Sequence, residues 1–489
     1  MFNDHRPYIS EAFAILIGSL CWYFGNGLNG NFWWLVWIAP YPLISYSLFH
    51  SGRKPFFVCF TACLIGRLSW LGYLVSVVGF LPACIFSITL ALVYAAIITW
   101  SAKLVKMYAQ AWTVFTYPVL FSAFEFLVSR ISPDGTAGSL AYTQSDKLFI
   151  IQLASITGIT GISFLISLLP SAAAATHWLI YHKRKYMMAL IPSLGITLGV
   201  VIFSLHRIPQ GFDGNTASVG LVSLDEQYHD MSPKPDSAKS LATVDRYLAR
   251  VANLADAGAK IVVLPERAVF ISASNEAVVM EKFKQIAVEK KVFIIAGYTN
   301  QKSGIERNSA FAIDNEGKPV ADYDKTRLVQ GLEHRFTPGA GLGTFQIGDA
   351  NAGLPICKDL DFPQDIRRYG KERTALLTVP AWDFEKDDWL HSRMAVLRAV
   401  ENGFSMVRAA RQGRLTINDQ YGRILNEAST AKGISAELVD IVPINHLNTL
   451  YVRYGDWFGW LDALMTLLLL ALIGVGFRTG RQAIPTKQV

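Results

Sequence analysis

The chain has 489 residues, of which 52% are hydrophobic, with a formal charge of +7 and a mean hydropathy of +0.29. Such a length and hydropathy fit a polytopic membrane protein with one sizeable extramembrane domain rather than an ordinary soluble protein. The excess positive charge lies mostly at the ends of apolar blocks. No basic stripe interleaved with aromatics is present, which excludes a nucleic-acid partner.

Residues from about 9 to 205 form successive apolar blocks, residues from about 206 to 456 have globular composition, and WFGWLDALMTLLLLALIGVGF is apolar again. The expected organisation is a membrane bundle of seven transmembrane helices over 1–205, an extracytoplasmic domain over 206–456, and an eighth helix with a short cytoplasmic tail over 457–489. The eight spans, each near the ~20 residues that cross a bilayer, fall roughly at 9–27, 31–49, 55–77, 80–101, 109–130, 148–180, 187–205 and 458–477. The first span runs through GNGLNGN straight into the second and carries no small-residue cleavage site, so it reads as a retained helix. Arg6, Arg53, Lys54, Lys103, Lys106, Lys183, Arg184, Lys185, Arg478 and Arg481 all fall on one side if the N-terminus is cytoplasmic. The positive-inside rule then puts the large domain outside the cytoplasm.

Within that domain, TASVGLVSL, KIVVLPE, VFIIAGY, SAFAID, TFQIG, AGLPIC, FSMVRAA and GRLTIND read as strands. Between them, Leu241, Val244, Leu248, Val251 and Leu254 share one helical face, and EKFKQIAVEKK and DDWLHSRMAVLRAVENG are helical. Strands with interleaved helices indicate an α/β domain. The nine histidines form no HxxxH pair and no CxxC is present, so a structural zinc is not expected.

Four of the five cysteines lie in apolar runs; Cys357, in GLPICKDLDFP, does not. A lone thiol is either a small buried hydrophobe or a nucleophile. Glu266 ends VVLPE, Lys325 follows a strand in YDKTRLV, and Cys357 ends LPIC, so three polar residues stand at three strand ends. On an α/β scaffold such ends carry catalytic groups. A carboxylate can activate a thiol, and an ammonium can stabilise the oxyanion formed when the thiolate attacks a carbonyl. Taken singly, Glu266 could be a helix cap, Lys325 a surface charge and Cys357 a core filler.

The order Glu, Lys, Cys, each in its own motif, resembles the nitrilase (carbon–nitrogen hydrolase) superfamily. With the domain inserted before the last span, the whole chain resembles the apolipoprotein N-acyltransferase family of that superfamily. TGITGISFLISLLP, HSRMAVLRAVENG and LYVRYGDWFGW add to the likeness. The resemblance implies a nitrilase-like αββα sandwich inserted in an eight-helix bundle, with Glu266, Lys325 and Cys357 as catalytic triad. Glu333 corresponds to the family's additional glutamate. It further implies a phospholipid acyl donor, a diacylglyceryl-lipoprotein acceptor, a site on the outer face of the cytoplasmic membrane and a reaction that needs no metal or organic cofactor.

Some positions depart from the family pattern. LVQGLE stands where LVPFGE is usual, Lys358 follows the cysteine where an aromatic is usual, Asp359 stands where an acid is expected, and Phe362-Pro363 looks like soluble nitrilases. A membrane-tethered amidase, a transferase for another amine and an inactive lipid-binding scaffold therefore stand as alternatives. Lys358 and Asp359 are candidate substrate contacts. So are Arg67, a charge inside the third span, and Trp70 beside it. Glu125 and Arg130 read as an interfacial pair, and Trp382 and Trp389 as loop anchors or core.

Overall fold

The computed structural model describes residues 9–183, 187–212, 214–229, 237–302 and 304–478. Arg6, Arg184, Lys185 and Arg481 lie outside the described residues. The chain divides into two compact units: Met1–Ile131 with Gly138–Leu205 and Asp456–Val489, and Ser132–Ala137 with His206–Gly455.

The first unit is helical. Among the described residues, six helices are long and apolar enough to cross a membrane: Lys54–Val78, Phe80–Tyr108, Ala111–Ile131, Ile159–Tyr181, Leu190–Arg207 and Trp457–Gly476. The first expected span falls on the shorter helix Glu11–Gly25. The second is broken into a 3-10 turn, Trp33–Trp37, and the helix Pro40–Phe49. Pro40 and Pro42 lack the backbone N–H that a continuous helix would need, so the helix can only begin there. The sixth expected span is also broken. Leu148–Ile151 and Ala154–Thr157 are single helical turns, and Gly158, at φ 67, separates them from Ile159–Tyr181. A side chain is disfavoured at that left-handed φ, which is why the break falls on glycine.

The expected Glu125–Arg130 pair does not form. The Glu125 carboxylate accepts from Leu140 N at 2.8 Å and Ser139 Oγ at 2.9 Å, whereas Arg130 pairs with Asp456 and lies 5.0 Å from the Phe126 ring.

The second unit is an αββα sandwich. In chain order its strands are β1 (Thr216–Ser223), β2 (Ile261–Val263), β3 (Val269–Ser272), β4 (Phe293–Gln301), β5 (Arg307–Ile313), β6 (Pro319–Asp324), β7 (Thr344–Ile347), β8 (Ala350–Gly353), β9 (Leu376–Trp382), β10 (Ser405–Arg411), β11 (Arg414–Asn418), β12 (Ile424–Ser429) and β13 (Ala436–Pro443). One sheet runs β13-β1-β2-β4-β5-β6, with β3 paired to β4; the other runs β12-β11-β10-β9-β8-β7.

Strand side chains alternate between two cores, as the period of two requires. Val219, Leu221, Ile261, Val263 and Ile295 meet Ala352, Leu376, Val407 and Ala409 between the sheets. Val222, Val262, Ile294 and Ala296 face outward onto the helices Ser237–Asp256 and Glu276–Lys290 through Val244, Leu248, Val251 and Phe283. Leu377, Val379 and Met406 pack on Pro363–Lys371 and Asp388–Asn402. Burial on both faces explains the unbroken apolar runs of the central strands.

Candidate active site

Glu266, Lys325 and Cys357 follow β2, β6 and β8 within this unit, and Glu333 closes the loop after Lys325. The chain leaves β2 through Leu264 and Pro265, and Glu266 N donates to Ala381 O at 3.2 Å. Gly297 on β4 lies under this turn; a Cβ there would sit 2.5 Å from Pro265 O and 2.6 Å from Glu266 Cα. Glycine at 297 is therefore what lets the two backbones approach. Lys325 N donates to Asn308 O at 2.8 Å as β6 ends.

Lys325 is 1% exposed, and its Nζ donates to Glu266 Oε1 at 2.7 Å and Glu333 Oε2 at 2.9 Å. Asn308 Nδ2 donates to Glu266 Oε1 at 2.5 Å and Glu333 Oε1 at 2.6 Å. Val329 N donates to Glu333 Oε2 at 2.7 Å, so the LVQGLE loop is held by its own terminal acid. Burial alone would lower the Lys325 pKa, but the charges of Glu266, Glu333 and Cys357 outweigh it and raise it well above the ordinary value. Burial likewise works against ionised Glu333. Lys325 and the hydrogen bonds to its carboxylate prevail and bring its pKa below normal.

Cys357 opens a short 3-10 helix, Cys357–Asp361, with φ 43. This left-handed conformation costs a non-glycine residue about 1–3 kcal/mol and marks functional turns. The thiol donates to Trp382 O at 3.5 Å. Burial, then the Glu266 charge, raise its pKa well above the ordinary value, while Lys325 and Arg408 pull it down. The resting group is a neutral thiol within the field of an ion-paired Glu266–Lys325.

The other sequence candidates have different surroundings. Asp359 is 1% exposed and accepts from Ile356 N, Tyr323 Oη, Thr326 N, Thr326 Oγ1 and Arg327 N at 2.8–3.2 Å. It braces the chain after Lys325 against the cysteine turn, and both its oxygens are occupied. Lys358 is buried and paired with Asp134. Arg67 and Trp70 belong to the other unit, where the Arg67 guanidinium lies 5.2 Å from the Trp70 ring and 5.9 Å from Phe86, and its Nε has no hydrogen-bond partner among the described residues. Among the described residues, no group of three or more His, Cys, Asp or Glu is arranged to hold a metal ion.

Asn308, Trp382 and the Asp383–Arg408 pair were not singled out as site residues by sequence. Arg408 Nη1 donates to Asp383 Oδ2 at 2.8 Å and Nη2 to Oδ1 at 2.5 Å, both groups being buried. Their sequence signal is a charge within the otherwise apolar FSMVRAA and an acid directly after Trp382.

An αββα sandwich with a thiol on a left-handed turn beside a buried Glu–Lys pair is the arrangement of the carbon–nitrogen hydrolase class. The family model "Carbon-nitrogen hydrolase" matches residues 217–442, and "Apolipoprotein N-acyltransferase N-terminal domain" matches 20–172. The chain belongs to the apolipoprotein N-acyltransferase family, a membrane-bound enzyme branch of that class. Apolipoprotein N-acyltransferase of Geobacter metallireducens is 28% identical over 87% of this chain and 88% of its own. That of Thermotoga maritima is 25% identical over 71% of this chain and 69% of its own. A solved amidase from Nesterenkonia sp. matches with 19% identity and a TM-score of 0.42, covering 50% of this chain and 95% of its own.

Proposed function

We propose that the protein moves a fatty acyl chain from a phospholipid to the N-terminal amine of a diacylglyceryl-cysteine lipoprotein, through a thioester on Cys357. The observation that carries the reading is the placing of Lys325, sealed between Glu266 and Glu333, in the field of the Cys357 thiol. Glu266 takes the thiol proton as sulfur attacks the ester carbonyl. Lys325 stabilises the oxyanion of the tetrahedral intermediate. The carbon–oxygen bond then breaks, Glu266 returns the proton to the departing alkoxide, and a lysophospholipid leaves. In the second half the lipoprotein amine attacks the thioester, Glu266 accepts its proton, the carbon–sulfur bond breaks and the thiol is re-formed.

Glu333 and Asn308 hold Lys325 and Glu266 in register through both halves. Two lipid substrates account for a hydrolase-type domain carried on one chain with membrane helices. The reading places the protein in the inner membrane with this domain on the extracytoplasmic side.

That placement rests on charge. Lys106 Nζ donates to Ser47 O at 2.9 Å and His50 O at 2.8 Å, and Lys54 pairs with Glu11 at 2.6 Å. Four helix ends thus gather with two basic residues, Lys54 and Lys106, at one end of the first unit, which supports an inward-facing end.

Intact-mass analysis of the full chain in phospholipid-containing micelles tests the chemistry. The wild type is expected to gain one acyl chain, labile to hydroxylamine and to a diacylglyceryl peptide, and Cys357→Ala to gain none. An adduct that persists in Cys357→Ala, or N-acyl product formed by that variant, overturns the reading.

A further inference from the structure

Arg267 directly follows Glu266 and has φ 51, a left-handed conformation that is disfavoured for a long side chain. Such strain is held only where the surroundings over-determine it. Here Arg267 Nε donates to Thr299 Oγ1 at 3.1 Å, and Arg411 Nη1 donates to Arg267 O at 3.1 Å. The guanidinium centre lies 5.0 Å from the Phe336 ring and 5.2 Å from the Trp382 ring. Trp382 is also the residue whose carbonyl receives the Cys357 thiol, so one residue contacts both the cation, through its ring, and the thiol, through its backbone.

The neighbouring cations have carboxylate partners. Arg411 binds Glu226 through Nε at 2.7 Å and Nη2 at 2.5 Å, Arg335 faces Glu306 at 3.3 Å, and Arg408 holds Asp383. Glu266 and Glu333 are committed to Lys325 and Asn308. The Nη1 and Nη2 groups of half-buried Arg267 have no acceptor among the described residues. Burial, helped by Arg335, lowers its pKa to about 10, which leaves it charged at neutral pH. A planar guanidinium with two free amino groups, lying near two aromatic rings, is suited to bidentate recognition of a phosphate or carboxylate.

We infer that Arg267 is the residue that binds the phosphodiester of the acyl donor and so selects phospholipids. This rests on the proposed phospholipid-to-thioester reaction. A glycerophospholipid carries its phosphodiester on the same glycerol unit as its acyl esters, so a cation that shares Trp382 with the thiol can hold the phosphate while the ester carbonyl reaches sulfur. The diacylglyceryl acceptor carries no phosphate on its glycerol. Arg267 therefore acts in the first half-reaction and not in the second.

The test uses the full chain in detergent and compares thioester formation from phosphatidylglycerol or phosphatidylethanolamine with that from a neutral p-nitrophenyl acyl ester. In Arg267→Gln the phospholipid-to-neutral-ester ratio is expected to fall about 10- to 100-fold, the loss typical of a charge-assisted hydrogen bond, mainly through KM. Arg267→Lys, which keeps the charge but not the fork, is expected to fall between. Transfer from preformed thioester to a diacylglyceryl peptide should keep its wild-type rate. An unchanged ratio in Arg267→Gln, or equal loss for both donors, overturns the assignment. If the wild type itself forms no thioester from any phospholipid yet reacts with the neutral ester, the proposed function fails first.

Discussion

Lys358, the residue after Cys357, is ion-paired with Asp134, 224 positions upstream. The pair belongs to a wider attachment of the segment Ser132–Ala137 to the cysteine turn. Thr136 donates to Asp361 O through both N and Oγ1 at 2.9 Å. Gly135, at φ 51, lies so close that a Cβ would sit 2.3 Å from the same oxygen. The turn that carries Cys357 is thus fixed from outside by backbone contacts, and the Lys358 ammonium is engaged by protein.

A graded mutational response follows. Gly135→Ala forces a side chain into backbone at a left-handed φ, so it is expected to cost several kcal/mol or displace the turn. Asp134 is 58% exposed, and an ion pair of that kind contributes only about 0–1 kcal/mol. Asp134→Asn and Lys358→Met should therefore be mild, non-additive, and without effect on donor preference. Thermal melting and thioester formation across several phospholipids check this. A changed donor preference in Lys358→Met means that Lys358 reaches substrate.

Stability should depend on pH through His391. Its Nε2 lies 3.0 Å from Asp387 Oδ2 and its Nδ1 3.9 Å from Asp361 Oδ1. Burial opposes its charge, but Asp387, Asp361 and Asp383 outweigh burial and raise its pKa to about 9. Unfolded histidine titrates near ~6.5. The stabilisation is full below that value and is lost as pH rises through about 9, with an upper bound of about 3 kcal/mol. Asp361, raised by burial to about 6, completes its titration in the lower part of this window, so the upper part, toward pH 9, is where the decline reports His391. Melting of the full chain between pH 6.5 and 9 should show a decline that His391→Gln flattens. Parallel curves for the two proteins reject the assignment.

Orientation is open to direct test. Alkaline phosphatase fused after Gly211 should be active, and fused after Lys183 inactive, because the basic helix ends gather on the side expected to face the cytoplasm. The reverse pattern overturns both the topology and an extracytoplasmic acceptor.

The α/β class was legible because Val219–Val222, Ile261–Val263 and Ile294–Ala296 are buried on both faces and so read as continuous apolar runs. Glu266, Lys325 and Cys357 were legible as candidates because each stands at the end of a strand read from the sequence. The breaks at Pro40 and Gly158 were not drawn, since hydropathy averages over a single residue that stops a helix. The roles of Asn308, Arg408 and Lys358 were hidden for another reason. Each is defined by partners 25 or more positions away, and no local pattern carries such pairings. Trp382 was read as an anchor or core residue, because only the fold brings its carbonyl to the thiol.

The buried charges around Lys325 make a prediction in which stability and rate diverge. Glu266 and Glu333 are joined by one ammonium and by Asn308, all nearly sealed from solvent. Lys325→Met leaves two carboxylates facing each other without a cation, and removing one partner of a buried pair costs about 3–5 kcal/mol. Adding Glu266→Gln removes one of the two repelling charges, so the double variant should be more stable than Lys325→Met alone. Activity should not recover. Loss of a general base costs ~10²–10⁴-fold and loss of an oxyanion donor ~10²–10³-fold. Groups acting in one step give a double loss far short of the product of the single losses. Melting temperatures and single-turnover thioester formation for the two single variants and the double decide the matter. Fully multiplicative rate losses, or a double variant no more stable than Lys325→Met, would show that Glu266 and Lys325 do not work as one unit.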